Sequence, residues 1–202
     1  VAVAAFDPLF LTAARAAIAG VLAAAALALL RQKRPANADL FALVGVAAGV
    51  VVGFPLLTAL ALRHVSAAHS VVFVGLLPLA TALFAVARGG ERPRALFWLF
   101  SVAGAALVAG FALTRGGKGA LTGDALMLAA IVVCGYGYAE GAKLSRRLGG
   151  WQVISWALAL SLPLAVGATL AFWPARFDGA GAPAWLGLAY VSLFSMWLGF
   201  VF

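Results

Sequence analysis

Seven long apolar runs, separated by short charged or turn-forming breaks, set the pattern of this 202-residue chain. They cover approximately residues 8–30, 39–62, 66–88, 93–114, 122–145, 151–173 and 184–202. Apolar residues are continuous within each run and do not alternate at period two, so helices are predicted and barrel strands are not. A helix needs about 20 residues to cross a hydrocarbon core about 30 Å thick, and every run meets that length. The predicted fold class is an all-α polytopic membrane protein with seven transmembrane helices.

Proline and glycine divide these runs further. Asp7-Pro8, Arg92-Pro93 and Ala182-Pro183 put proline where a first-turn N–H has no helical partner anyway, which marks three helix starts. Pro55, Pro78 and Pro163 stand at mid-span instead, where they cannot donate to the carbonyls of Val51, Val74 and Ala159 and are expected to bend their helices. A packing kink would account for any one of them, since proline is common in membrane helices. Three in seven spans point to helices that flex or line a cavity, with these prolines as hinges. Gly45, Gly49 and Gly53 recur at four-residue steps and form a smooth ridge for close packing, and Gly137 and Gly141 offer a shorter one.

Composition agrees with the pattern: 65% of residues are hydrophobic and 10% charged, against about half and a quarter in soluble domains. The expected partner is the lipid bilayer. A net charge of +8 would also suit a nucleic-acid binder, but the cations sit in short clusters between apolar runs, so no nucleic acid is expected. Their distribution reads as topology. Nine fall on one side (Arg31, Lys33, Arg34, Arg88, Arg92, Arg94, Lys143, Arg146, Arg147) and four on the other (Arg63, Arg115, Lys118, Arg176). The nine-cation side is therefore predicted to be cytoplasmic. The single Cys134 excludes an intrachain disulfide, and residues 1–6 are too short, and lack the basic leader, to be a signal peptide.

Shifting the chain by 146 residues lays the sixth span over the first and the seventh over the second, pairing Gly53-Phe54 with Gly199-Phe200. A shift across five spans inverts the second half, so the implied parent has ten helices in two inverted fives. On this register residues 1–118 are a first repeat without its first helix. Residues 119–202 are a second repeat that breaks off within its third helix.

The run "TALALRHVSAAHSVVFVGLLPLATALFAVARGGERPRALFWLFSVAGAALVAGFAL", residues 58–113, resembles the EamA-type repeat of the drug/metabolite transporter superfamily. Its marks are Ala-Leu-Arg before a short turn, small residues entering the next span, a mid-span Leu-Pro, Gly-Glu-Arg-Pro in the hairpin and a Gly-rich span ending near Gly110. "DPLFLTAARAAIAG" likewise resembles the family's second helix with its intramembrane Arg. The resemblance implies a multi-pass carrier of small metabolites in the bacterial inner membrane, often an exporter of amino acids or related compounds, with a ten-helix inverted-repeat (5+5) fold.

Candidate substrate-binding residues are Arg15, His69, Tyr136, Tyr138, Glu140, Trp156, Tyr190 and Trp197. Arg15 lies about two turns inside its span, where a charge is costly. Either its stem reaches the surface or Asp7, or it faces a cavity and holds a substrate carboxylate or a freed carbonyl. Glu140 has Tyr136, Lys143 and Arg147 on much the same helical face, which favours a salt bridge to Lys143, with a polar inner gate as the alternative. His69, one turn into its span, reads as a hydrogen-bonded structural residue more readily than as a proton carrier. Glu91 and Asp124, near helix starts, read as an anchor to neighbouring arginines and as a dipole partner. Trp98, Trp151, Trp173 and Trp185 fit an interfacial belt, whereas the deeper Trp156, Trp197, Tyr136, Tyr138 and Tyr190 either line an amphipathic cavity or pack against the glycine ridges.

No HExxH, GxSxG or GxxxxGK[ST] motif occurs, so no enzyme, metal, cofactor or ATP use is expected. A secondary transporter working by alternating access, around a cavity lined by spans one, two, three, five, six and seven, is the preferred reading. A non-transporting membrane scaffold or regulator and, less readily, an intramembrane enzyme are the alternatives. Proton coupling and facilitated diffusion both stay open, as does the identity of the small-molecule substrate.

Overall fold

A computed structural model describes residues 6–115, 120–177 and 180–200. Seven helices and no strands are present among them: α1 Pro8–Leu29, α2 Asn37–Ala61, α3 Ala67–Gly89, α4 Ala95–Arg115, α5 Ala120–Leu148, α6 Gly150–Ala171 and α7 Ala182–Ser195. The first six are long and apolar enough to cross a membrane, and α7 is a shorter apolar helix. Lys118 and the last two residues of the seventh predicted span lie outside the described residues.

Two of the three proline-marked starts hold, at Pro8 and Pro183, whereas α4 begins at Ala95, two residues beyond Pro93. Asp7 caps α1, its Oδ1 accepting from the backbone N–H of Leu9 at 2.8 Å and of Phe10 at 3.4 Å, with Pro8 as the first helical residue. Ser66 caps α3 by accepting from the His69 N–H at 3.2 Å. Two turns require a left-handed backbone and have glycine there: Gly90 (φ 66°) ends α3 and Gly149 (φ 94°) joins α5 to α6.

Each mid-span proline behaves differently. Before Pro55, α2 widens into a seven-residue π-helix over Ala47–Gly53, and the Phe54 N–H bonds back to Gly49. The wider turn relieves the clash between the proline ring and the carbonyl one α-turn earlier. Before Pro78, α3 is interrupted at Gly75 and Leu76, whose N–H groups take tighter bonds to Val72 and Phe73. By contrast, α6 runs unbroken through Pro163. Helix α7 also ends earlier than the predicted 184–202. It passes into π geometry over Val191–Ser195, turns at Met196 and Trp197, and closes with a 3-10 turn at Leu198–Phe200. Within it the Ser192 hydroxyl donates to the Leu188 carbonyl at 2.6 Å, the back-bonding that loosens an α-ladder.

The main core lies among α1, α2, α5 and α6, around Ala19, Leu43, Val51, Leu144, Ala157 and Leu158. Small residues set its spacing. An ideal Cβ on Gly49 would stand 2.3 Å from the Val133 carbonyl oxygen and 3.1 Å from the Gly137 Cα, so the two predicted ridges meet backbone to backbone. Gly135, on the other face of α5, leaves equal room for α3: a Cβ there would lie 2.8 Å from that of Ala80. Helix α5 is thus clasped between α2 and α3. Helix α4 packs on α3 and keeps Leu96, Leu99, Phe100 and Leu107 exposed, as a lipid-facing helix does. Trp173 and Trp185 join Phe6, Phe10 and Phe177 in an edge-on aromatic cluster at the Asp7 end.

Candidate substrate-binding site

Helix α5 carries the sequence Gly135-Tyr136-Gly137-Tyr138 at its centre, and its alternation sends the two tyrosines to opposite sides. Tyr136 enters the seam between α2 and α3. Its ring lies against Gly45, meets Phe84 edge-on at 5.6 Å and carries the Arg88 guanidinium at 5.6 Å. Tyr138 points to the interior of the bundle, where it lines a small cavity of about 120 Å³ with Arg15, Pro55, Cys134, Ile154, Ser195 and others. Those residues come from α1, α2, α5 and α6, with Ser195 closing α7. Cys134 and Tyr138, one turn apart, share a hydrogen bond.

Arg15 is the charged member of this cavity. It does not reach Asp7, which pairs instead with Arg63 at 2.8 Å. One terminal nitrogen of Arg15 donates to the Ser195 hydroxyl at 3.3 Å. Its Nε is buried and has no hydrogen-bond partner. An unmade bond to a cationic donor is expensive, and a buried donor of this kind is satisfied when an anion or carbonyl enters. Val51, whose carbonyl Pro55 deprives of its usual donor, lines the same space.

Among the described residues no carboxylate is left over to neutralise Arg15. The chain has six acids; of the five among the described residues, four are paired with arginines and Asp124 is bonded to His69. Three pairs pin the cation-rich end of α5: Glu140 to Arg88 of α3, Arg146 to Glu91 of the α3–α4 hairpin, and Arg147 to Asp39 of α2 at 3.0 Å. Glu140 and Asp39 are nearly fully buried, so these two pairs are more than surface decoration. Two pairs hold the opposite end: Arg63 to Asp7, and His69 Nε2 to Asp124 Oδ1 at 2.6 Å.

The eight candidates therefore separate. Arg15 and Tyr138 share the cavity. Trp156 packs against the main core, and the Trp197 indole N–H donates to the buried Ser155 hydroxyl at 2.9 Å, a structural tie between α6 and the segment after α7. His69 sits elsewhere, between Asp124 and the rings of Phe73 and Phe111. Glu140 does not pair with Lys143 as its spacing suggested; Arg88 reaches it from a different helix, because a buried carboxylate takes the cation that the packing delivers. Tyr190 is 62% exposed and stacks on Phe194 at the surface of α7. Ser195, Cys134 and Arg88 escaped sequence reasoning as site residues. For Cys134 the signal was its position one turn before Tyr138; for Ser195 and Arg88 there was none, since their partners are remote in the chain.

A second space adjoins the first. An open groove of about 840 Å³ follows α3 from the hairpin residues Glu91, Arg92 and Pro93, past Ala85 and Thr81, to Pro78 and Val74. Phe97 of α4 and Tyr138 of α5 complete its walls. The Thr81 hydroxyl on this wall is buried and lacks a hydrogen-bond partner.

Comparison with known proteins agrees with this architecture. Residues 1–113 match the EamA-like transporter family. The uncharacterized transporter YdeK of Bacillus subtilis (strain 168) is 67% identical over 201 residues, which span 100% of this chain and 70% of that protein. No solved structure matches the chain. With six membrane-length helices, a polar cavity inside the bundle and these two likenesses, the chain belongs to the EamA-like transporter family.

Proposed function

We propose that this membrane transporter is a secondary carrier that moves amino acids or related amphipathic metabolites out across the bacterial inner membrane by alternating access. The observation that carries this reading is Arg15: a half-buried guanidinium with an unpartnered Nε and no carboxylate among the described residues, facing a cavity walled by Tyr138, Cys134 and Ser195. Such a site takes the carboxylate of a substrate on Arg15 and its apolar body against Tyr138 and Ile154. The ion pairs at both ends of the bundle suit gates that break in turn, and the interrupted α3 and π-widened α2 supply segments that can bend.

The two-repeat reading has its own support. A π-helix occurs in α2 over Ala47–Gly53 and another in α7 over Val191–Ser195. The 146-residue shift lays the first onto 193–199, overlapping the second, and π segments are rare enough for the coincidence to favour paired helices.

The test is transport by the purified protein in liposomes loaded with a panel of radiolabelled amino acids and small organic acids. Efflux of at least one carboxylate-bearing solute, lost in Arg15→Ala, supports the reading. Failure of the whole panel refutes it.

A further inference from the structure

The groove and the Arg15 cavity share one lining residue among the described residues, Tyr138. Pro78 and Thr81 of α3 line the groove with it, and Arg15 and Cys134 line the cavity with it. Tyr138 therefore stands between a wide space that opens at the cation-rich hairpin and a narrow one that holds Arg15 with its unpartnered Nε. We propose that the groove is a cytoplasmic vestibule for a small amphipathic carboxylate and that the Tyr138 side chain is the door between it and the Arg15 site.

Two features make the groove more than a seam for lipid. Its mouth carries Glu91 and Arg92, charges that suit a zwitterionic solute and not an acyl chain. Its inner end is the broken turn of α3 before Pro78, where the backbone can rearrange without losing a continuous helical ladder. Swinging the ring away from Cys134 toward the α3 break joins the two spaces and exposes Arg15 to the cytoplasmic side.

This inference rests on the transporter reading and on the positive-inside orientation, yet it can be tested without transport. The chain has a single cysteine, and it lies behind the door. A small anionic methanethiosulfonate, added to inside-out membrane vesicles, reports access to Cys134 from the cytoplasmic face, with Cys134→Ser as the blank. Tyr138→Ala is expected to speed labelling at least about tenfold, the change that lowering an opening free energy by about 1.4 kcal/mol produces. Tyr138→Phe keeps the ring and should stay close to the unaltered protein. A cysteine placed in the vestibule by Ala85→Cys, in the Cys134→Ser background, should label rapidly whatever stands at residue 138. Equal labelling of Cys134 with and without the Tyr138 ring overturns the door. Fast labelling in Tyr138→Phe overturns it too, by assigning the shielding to the hydroxyl. A silent Ala85→Cys, or labelling only in right-side-out vesicles, overturns the vestibule. Elution of each variant as a monodisperse species excludes unfolding as the source of any new reactivity, and loss of transport with the labelling pattern intact would strike the function and leave the geometry standing.

Discussion

Gly49 of α2 and Gly137 of α5 touch through their backbones, with room for no Cβ on Gly49 between them and the Val133 carbonyl. This contact brings the π-widened part of α2 against the centre of α5 and so sets the position of Tyr138 and Cys134 relative to Val51 and Pro55. Gly49→Ala is expected to destabilise the protein by about 1–3 kcal/mol, since backbone atoms must move to admit the methyl group. Gly110→Ala, on exposed α4 where nothing lies within 4 Å, should be neutral or stabilising by up to about 1 kcal/mol. Thermal unfolding in detergent distinguishes the two; equal losses would mean that the α2–α5 approach is not close.

Glu140, only 2% exposed, is the most buried of the paired carboxylates, and Arg88 is its partner. Removing the cation leaves that carboxylate without compensation inside the bundle. Arg88→Ala should therefore lower the Tm clearly more than Arg34→Ala in an exposed loop. Pairing Arg88→Leu with Glu140→Leu should recover most of the loss, whereas additive losses in this double-mutant cycle would contradict the pairing.

Arg15 is expected to act on substrate affinity. Arg15→Ala should raise KM for a carboxylate-bearing solute by about 10- to 100-fold, the range given by a charged hydrogen bond of about 1.5–3 kcal/mol. Arg15→Lys should recover little, because an ammonium cannot present the forked donors of a guanidinium. Ser195→Ala, which removes only the neutral partner at 3.3 Å, should change KM much less. A KM insensitive to Arg15 would place the substrate elsewhere.

Pro78 is tied to the interruption of α3. Pro78→Ala restores an N–H facing the Val74 carbonyl and lets the two segments, Ala67–Val74 and Leu77–Gly89, join into one ladder. The variant is expected to have a higher Tm and a slower turnover, measured by unfolding and by liposome efflux. Faster transport would argue that the break is not a moving part.

Helix ends and close contacts were legible because each depends on local residue type. Asp7-Pro8, Ser66 and Gly90 act through their own backbone, and the glycine ridges announce close packing by their spacing alone. The effect of the mid-span prolines was partly readable, since α2 and α3 depart from the α-ladder before Pro55 and Pro78, although the unbroken α6 shows that a helix can continue through a proline. The site was much less legible. Spacing favoured Lys143 as the partner of Glu140, and proximity along the helix offered Asp7 as one of two alternatives for Arg15. Both acids took partners from other helices, Arg88 and Arg63.

Sequence alone determined that the chain crosses a membrane, how many apolar helices it has and where they begin, because a bilayer permits so few ways of satisfying a backbone. It also determined the family, whose marks are local motifs in a fixed order. Tertiary structure decided which charges neutralise one another and that Arg15, inside the bundle, has no carboxylate among the described residues. Four acids are taken by arginines and one by His69, all brought from elsewhere in the chain, and that allocation leaves Arg15 facing a cavity that Tyr138 lines. The physical reason is range: helix formation and membrane insertion respond to residues within a few turns, whereas a buried ion pair is settled by whichever side chain the packed bundle carries within about 4 Å.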